Sequence, residues 1–254
     1  MSVFAGVFLV MAMMEIIVPR KQRVQTRSGR WFTNISLVVI NTLALRFALP
    51  ILAVGMADYA ATKGWGLLAL IDLPFWLEVI IAFLLLDMLI YLQHVALHKI
   101  PVFWRMHKVH HADRDLDVTS GARFHPFEAL LSMAFKLLCI AVIGPAAFAV
   151  FLFEVILNAA SMFNHANVHL PKGLDRGLRL FIVTPDMHRV HHSIIERETN
   201  SNYGFFLTIW DRVFRTYIPQ PEKGHDGMTI GLSEHQSDQP ANLLWSLLLP
   251  FRRN

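Results

Sequence analysis

Between residues 129 and 163 runs ALLSMAFKLLCIAVIGPAAFAVFLFEVILNAASMF, an apolar tract too long for one simple membrane span. Gly144-Pro145 divides it, because a proline cannot continue the upstream hydrogen-bond ladder of a helix. The halves hold about 15 and 18 residues, near or below the roughly 20 that cross a bilayer as helix. Histidine clusters stand on both sides of the tract. If they share one site, the chain enters and leaves the apolar layer from the same face. A broken hairpin meets that parity; a single kinked span with unrelated histidines does not.

Three earlier segments are apolar at similar length. Residues 2–18 predict a first transmembrane helix, with Glu15 near the interface. A signal peptide is the alternative, but the positive charges follow the apolar run instead of preceding it. Residues 33–56 predict a second span, interrupted by Arg46 and Pro50, and residues 74–93 a third, containing Glu78 and Asp87. Charged residues are only 17% of the chain and hydrophobic ones 54%, against about 25% charged in soluble domains. Arg20, Lys21, Arg23, Arg27 and Arg30 lie in one short loop, which the positive-inside rule puts in the cytoplasm. The fold class that follows is an all-α integral membrane protein. It is a transmembrane helical bundle with a broken hairpin and a cytosolic, histidine-rich helical cap. Residues 243–251, LLWSLLLPF, predict a short interfacial or core helix. The basic loop lacks the aromatic and polar interleaving of a nucleic-acid groove. Cys139, the single cysteine, excludes a disulfide framework and cysteine-rich metal sites.

Ten of the 13 histidines fall in four motifs. QHVALH supplies His94 and His98, and HKVHH supplies His107, His110 and His111. NHANVH supplies His165 and His169, and HRVHH supplies His188, His191 and His192. Residues i and i+4 share one helical face, so each pair at that spacing aims two imidazoles at one point. In H-x-x-H-H the middle histidine points in a neighbouring direction, so one helix serves two metals. Two such motifs with two i,i+4 pairs form a ten-histidine dinuclear arrangement. A proton relay needs no repeated i,i+4 geometry, and a zinc site normally takes four ligands. Imidazole suits zinc, copper, iron and nickel, so spacing leaves the metal open. Asp87, Asp113, Glu128 and Asp186 lie near the histidines in sequence and are candidates to accept a ligand's far ring N–H. Asp186 also suits a helix cap. His225 and His235 are read as ordinary surface or core residues.

The set HVALH, HKVHH, NHANVH and HRVHH, with RFHPFE at 123–128 and NYGFFLTIWDRVFRTY at 202–217, resembles the integral-membrane fatty acid hydroxylase/sterol desaturase family. The resemblance runs from about residue 75 to 218. It divides the chain into an N-terminal transmembrane region (1–74), a histidine-rich catalytic domain (75–218) and a C-terminal tail with a short apolar segment (219–254). It implies two non-haem irons held by histidines on the cytosolic side. One would be held by His94, His98, His107, His111 and His191, the other by His110, His165, His169, His188 and His192. His125, in RFHPFE, is implied as an orienting or structural group. Asn164 and Asn167 are candidates to orient His165 and His169. Asn202, Tyr203, Trp210 and Asp211 are read as packing the cap. Gln93 departs from the family pattern, where an aromatic or basic residue often stands.

An unactivated C–H bond resists side-chain acid–base chemistry, whereas metal-activated O2 attacks it. The expected activity is O2-dependent hydroxylation of a lipid, sterol-like or other long apolar substrate. Desaturation of such a substrate is the alternative. The chain shows no flavin, haem or iron–sulfur signature, so an external electron-donor protein is expected. A histidine-rich metal transporter or store would place ligands along a path across the bilayer, not in clusters on one side. A zinc hydrolase would carry an H-E-x-x-H motif, which is missing.

Overall fold

The computed structural model describes residues 2–252. Helices dominate, and among the described residues β-pairing is limited to isolated bridges such as Pro19 with Val168. The long elements are α1 (Ser2–Ile17), α2 (Arg27–Ala48), α3 (Ala53–Lys63), α4 (Phe75–Lys99), α5 (Pro101–His111), α6 (Pro126–Ile143) and α7 (Ala147–His165). Two short helices follow, α8 (Lys172–Leu178) and α9 (Pro185–His191), and the chain closes with the short helix Leu243–Leu248.

Four stretches are long and apolar enough to cross a bilayer: Arg27–Leu70, which contains α2 and α3, and then α4, α6 and α7. Their outward faces are apolar at helical spacing. Val39, Leu43 and Phe47 are exposed on α2, and Leu77, Ile80 and Leu84 on α4. This pattern supports an integral-membrane location. The expected first span is corrected: α1 has 16 residues, shorter than a full crossing. Its Glu15 is not exposed. It is buried, accepts hydrogen bonds from Val118 N and Asn167 N, and faces Arg23 and Arg27. The second stretch begins earlier than hydropathy indicates, and its first helix, α2, stops before Pro50, with α3 resuming at Ala53. The third continues past residue 93, so α4 carries both its histidines.

The broken hairpin is present. Pro126 occupies the first turn of α6, and the helix ends at Gly144, whose φ of 64° admits glycine readily. The loop before α4 locks this hinge. Gly66 lies against Gly144 so closely that a Cβ on either would strike backbone, and Leu67 N donates to Val142 O at 2.9 Å. Glu78 on α4 accepts from Ala146 N at 2.9 Å, satisfying a donor at the start of α7. From the hinge α6 and α7 diverge, packing on α3 and α4 more than on each other. Small residues Ala53, Ala57 and Ala60 on α3 permit that close approach. The main core joins Ala53 and Ala57 to Leu86 on α4, Ile140 on α6 and Phe153 on α7. The start of α6 and the end of α7 thus return to one end of the bundle, where α5 and α9 pack.

Candidate metal centre

Four helices deliver the histidines to that end. His94 and His98 stand one turn apart near the end of α4. His107, His110 and His111 close α5, His165 is the last residue of α7, and His188, His191 and His192 lie on α9 and its C-cap. Ligand-capable atoms of His94, His98, His107, His111 and His191 all lie within 4.8 Å of one another, and those of His110, His165, His188 and His192 form a second such group. The two groups adjoin, with the His111 and His192 rings stacked at 4.4 Å between centroids.

Hydrogen bonds fix which nitrogen faces inward. His94 Nδ1–H donates to the Tyr203 carbonyl at 2.7 Å, His191 Nδ1–H to the Ser201 carbonyl at 2.7 Å and His165 Nδ1–H to the Ser161 carbonyl at 2.8 Å. His107 Nδ1–H donates to Glu128 Oε1 at 2.6 Å. A carbonyl only accepts, so His94, His191 and His165 each carry a proton on Nδ1 and, as neutral rings, a bare lone pair on Nε2, while Glu128 turns the His107 Nε2 to the same side. Yet His94 Nε2 lies 3.2 Å from His107 Nε2 and 3.1 Å from His191 Nε2. In the second group His165 Nε2 lies 3.2 Å from His110 Nε2 and 3.1 Å from His188 Nε2, and His188 and His192 are 3.3 Å apart. In the first group the bare Nε2 lone pairs of His94 and His191 converge and repel unless a cation lies between them. Nitrogens about 2.1 Å from one ion stand about 3.0 Å apart at right angles and about 3.4 Å apart at tetrahedral angles. The observed separations fall in that range, so the donor set fits two metal ions.

Electrostatics agree. Burial, followed by the neighbouring imidazoles, holds His111 and His192 well below the ordinary histidine range, and burial takes His191 down to about 3. Neutral imidazole is the ligating form.

One expected ligand is not brought in. His169 is exposed and belongs to neither group. The i,i+4 argument needs a continuous helix, but α7 stops at His165, and Ala166 is extended. The chain then pairs with the segment after α1, where His169 N donates to Val18 O at 2.8 Å. Accordingly, His169→Ala is expected to leave bound metal unchanged, as metal analysis of the purified variant would show.

Of the expected orienting groups, only Glu128 touches a ligand. Asp87 accepts from Trp210 Nε1 at 2.8 Å and Leu207 N at 3.3 Å, tying the cap to α4. Asp113 pairs with Arg30. His125 caps α6 through Phe127 N and reaches the Leu247 carbonyl at 3.2 Å. Asn164 donates to Phe205 O, and Asn167 bonds the Lys21 backbone in both directions. Asp186 pairs with Arg20 and Arg189. The other three orienting acceptors are backbone carbonyls, which no residue type announces. His225 and His235 lie outside both groups. Glu128→Gln keeps the size of the side chain but loses the charge on His107, and is expected to lower metal affinity or turnover by about 10–100-fold. Wild-type values for both would refute the assignment.

A cavity of about 310 Å³ ends at this centre, with His94 and His107 in its wall. Each of α2, α4, α6 and α7 lines it with one i, i+3, i+4, i+7 stripe. On α6 the stripe is Ala129, Ser132, Met133 and Lys136, and on α7 it is Glu154, Leu157, Asn158 and Ser161. Lys136 Nζ meets Glu154 Oε1 at 2.6 Å across the gap between the diverging helices. The pair lies about 12 Å along α6 from Glu128, at 1.5 Å per residue.

Comparison with known proteins follows the same lines. The fatty acid hydroxylase family model matches residues 79–216. The ornithine lipid hydroxylase OlsE of Rhizobium tropici is 27% identical over 235 residues, covering 89% of this chain and 70% of that protein. The alkylglycerol monooxygenase of Xenopus tropicalis is 32% identical over 171 residues, covering 65% of this chain, which spans only 36% of that protein. A very-long-chain aldehyde decarbonylase of Oryza sativa is 28% identical over 169 residues, covering 65% of this chain and 63% of that protein. No solved structure matches. A family match over more than half the chain, centred on the helices that carry the histidines, establishes that this protein belongs to the fatty acid hydroxylase family.

Proposed function

We propose that the chain is an O2-dependent membrane oxidoreductase that hydroxylates a C–H bond of a lipid-like substrate at a non-haem diiron centre. One observation carries the reading: two adjoining groups of buried, converging imidazoles stand beside a largely apolar cavity, with His94 and His107 of the first group in its wall. When bound, the iron pair would supply activation of O2, one atom entering the C–H bond while the other leaves as water with two electrons from an outside donor protein and two protons from solvent. The chain's own part is positioning. The carbonyls of Ser161, Ser201 and Tyr203 hold three ring orientations, and Glu128 holds a fourth. The cavity stripes align an apolar chain and exclude water. The similarity to an ornithine lipid hydroxylase and an alkylglycerol monooxygenase supports hydroxylation of a lipid-like substrate over desaturation.

The same reading puts the centre at the cytoplasmic face. Arg20 pairs with Asp186 in the first turn of α9, and Arg30, in the first turn of α2, with Asp113 just after α5, so the basic segment and the histidine-bearing cap share one end of the bundle. The positive-inside rule then applies to both. The test is iron content of anaerobically purified protein, followed by O2 uptake with a reductant and candidate lipids. Stoichiometric iron and a product one oxygen heavier are expected. Full turnover by iron-free protein would overturn the reading.

A further inference from the structure

Membrane-level cavities that hold only hydrocarbon need no unsatisfied polar atoms, and burying one without a partner costs stability. This cavity has them. Asn41 is 8% exposed, and its Nδ2 donates to the Phe124 carbonyl at 2.9 Å. Because a carbonyl only accepts, this bond assigns the amide orientation and leaves Asn41 Oδ1 as a buried acceptor with no partner. Gln93, on the α4 stripe next to His94, has its Nε2 buried with no partner, a donor. The third such atom in the wall, Glu128 Oε2, belongs to the carboxylate already bonded to His107. A free acceptor and a free donor in one cavity wall are complementary to a hydroxyl, which donates once and accepts through its lone pairs.

We propose that Gln93 and Asn41 form a hydroxyl-binding subsite beside His94, so that the lipid oxidised here carries a free hydroxyl close to the carbon presented to the metal centre. Gln93 Nε2 donates a hydrogen bond to the hydroxyl oxygen, and Asn41 Oδ1 accepts one from the hydroxyl O–H. A site built to bond a hydroxyl rejects the analogue lacking it, since the amide groups then stay unpaired. The inference rests on the lipid-oxidation reading of the same cavity.

The test measures binding without turnover. Iron-loaded full-length protein in lipid nanodiscs, under argon and without reductant, is titrated with radiolabelled 1-O-hexadecylglycerol and with its 2,3-di-O-methyl ether, correcting for uptake by empty nanodiscs. The wild type is expected to bind the free diol about tenfold more tightly, the weight of roughly one buried hydrogen bond. Gln93→Leu and Asn41→Leu are each expected to erase that preference while retaining iron and affinity for the ether. Equal affinities in the wild type, a preference that survives both substitutions, or binding of neither probe would overturn the subsite. Failure of the oxidation reading shows separately, as discrimination without an O2-dependent product.

Discussion

His111→Ala is expected to remove iron from the centre and to cut lipid oxidation by more than about 100-fold, beyond the 10–100-fold typical of losing only an orienting partner. His111 faces His98, His107 and His191 within its own group and stacks on His192 of the other. Its loss therefore removes a donor from one metal and the packing surface of a ligand to the second. His192→Ala should behave alike from the other side. The double variant should lose little more activity than either single one, because groups that act as a unit are not additive. His225→Ala is the control. His225 is buried beside Asp186, outside both groups, and should retain iron and turnover. Metal analysis and mass spectrometry of the lipid product read all four proteins. Wild-type iron and activity in His111→Ala would reject its place in the centre.

The sequence made the grouping of the histidines legible because helical spacing is a local property. His94 with His98 and His107 with His111 sit on helices that the chain forms continuously. The same rule failed at His169, where α7 ends at His165 for tertiary reasons: the following residues pair with the segment after α1. The hairpin was legible from parity and from Gly144-Pro145, whereas its locking by Gly66 depends on a distant loop. Acids were poorly assigned by proximity in sequence. Asp113 follows His111 closely but turns to Arg30, while Glu128, farther from His107 along the chain, bonds its ring. Substrate chemistry was least legible, because Asn41 and Gln93 meet the cavity from separate helices.

Arg30→Met is expected to be the most destabilising single change away from the histidines. Arg30 is fully buried and grips Asp113 through two parallel bonds, Nε to Oδ1 at 2.6 Å and Nη2 to Oδ2 at 2.8 Å. Nη1 bonds Asp117 at 2.7 Å, and Nη2 also reaches Ser120 Oγ and the Asp115 carbonyl. Asn34 extends the network from Asp113 to Arg123, which bonds the Val109 carbonyl within α5 at 2.8 Å. Burial raises the Asp113 carboxyl, but Arg30 overrides it and holds the group at about 2. Since that lies below the ordinary 3.8, the stabilisation is present above pH 3.8 and is lost as pH falls toward 2. Removing Arg30 leaves two buried carboxylates without their cation, a loss of about 3–5 kcal/mol. In detergent the melting temperature should fall by roughly 10 °C. Arg30→Lys should recover only part of this, because an ammonium cannot make the forked contact. Adding Asp113→Asn to Arg30→Met should recover more than lysine does, since it removes a stranded charge. Because the network holds the end of α5, bound iron should fall with stability and return with it. An unchanged melting temperature in Arg30→Met would show that the network does not hold the histidine helix.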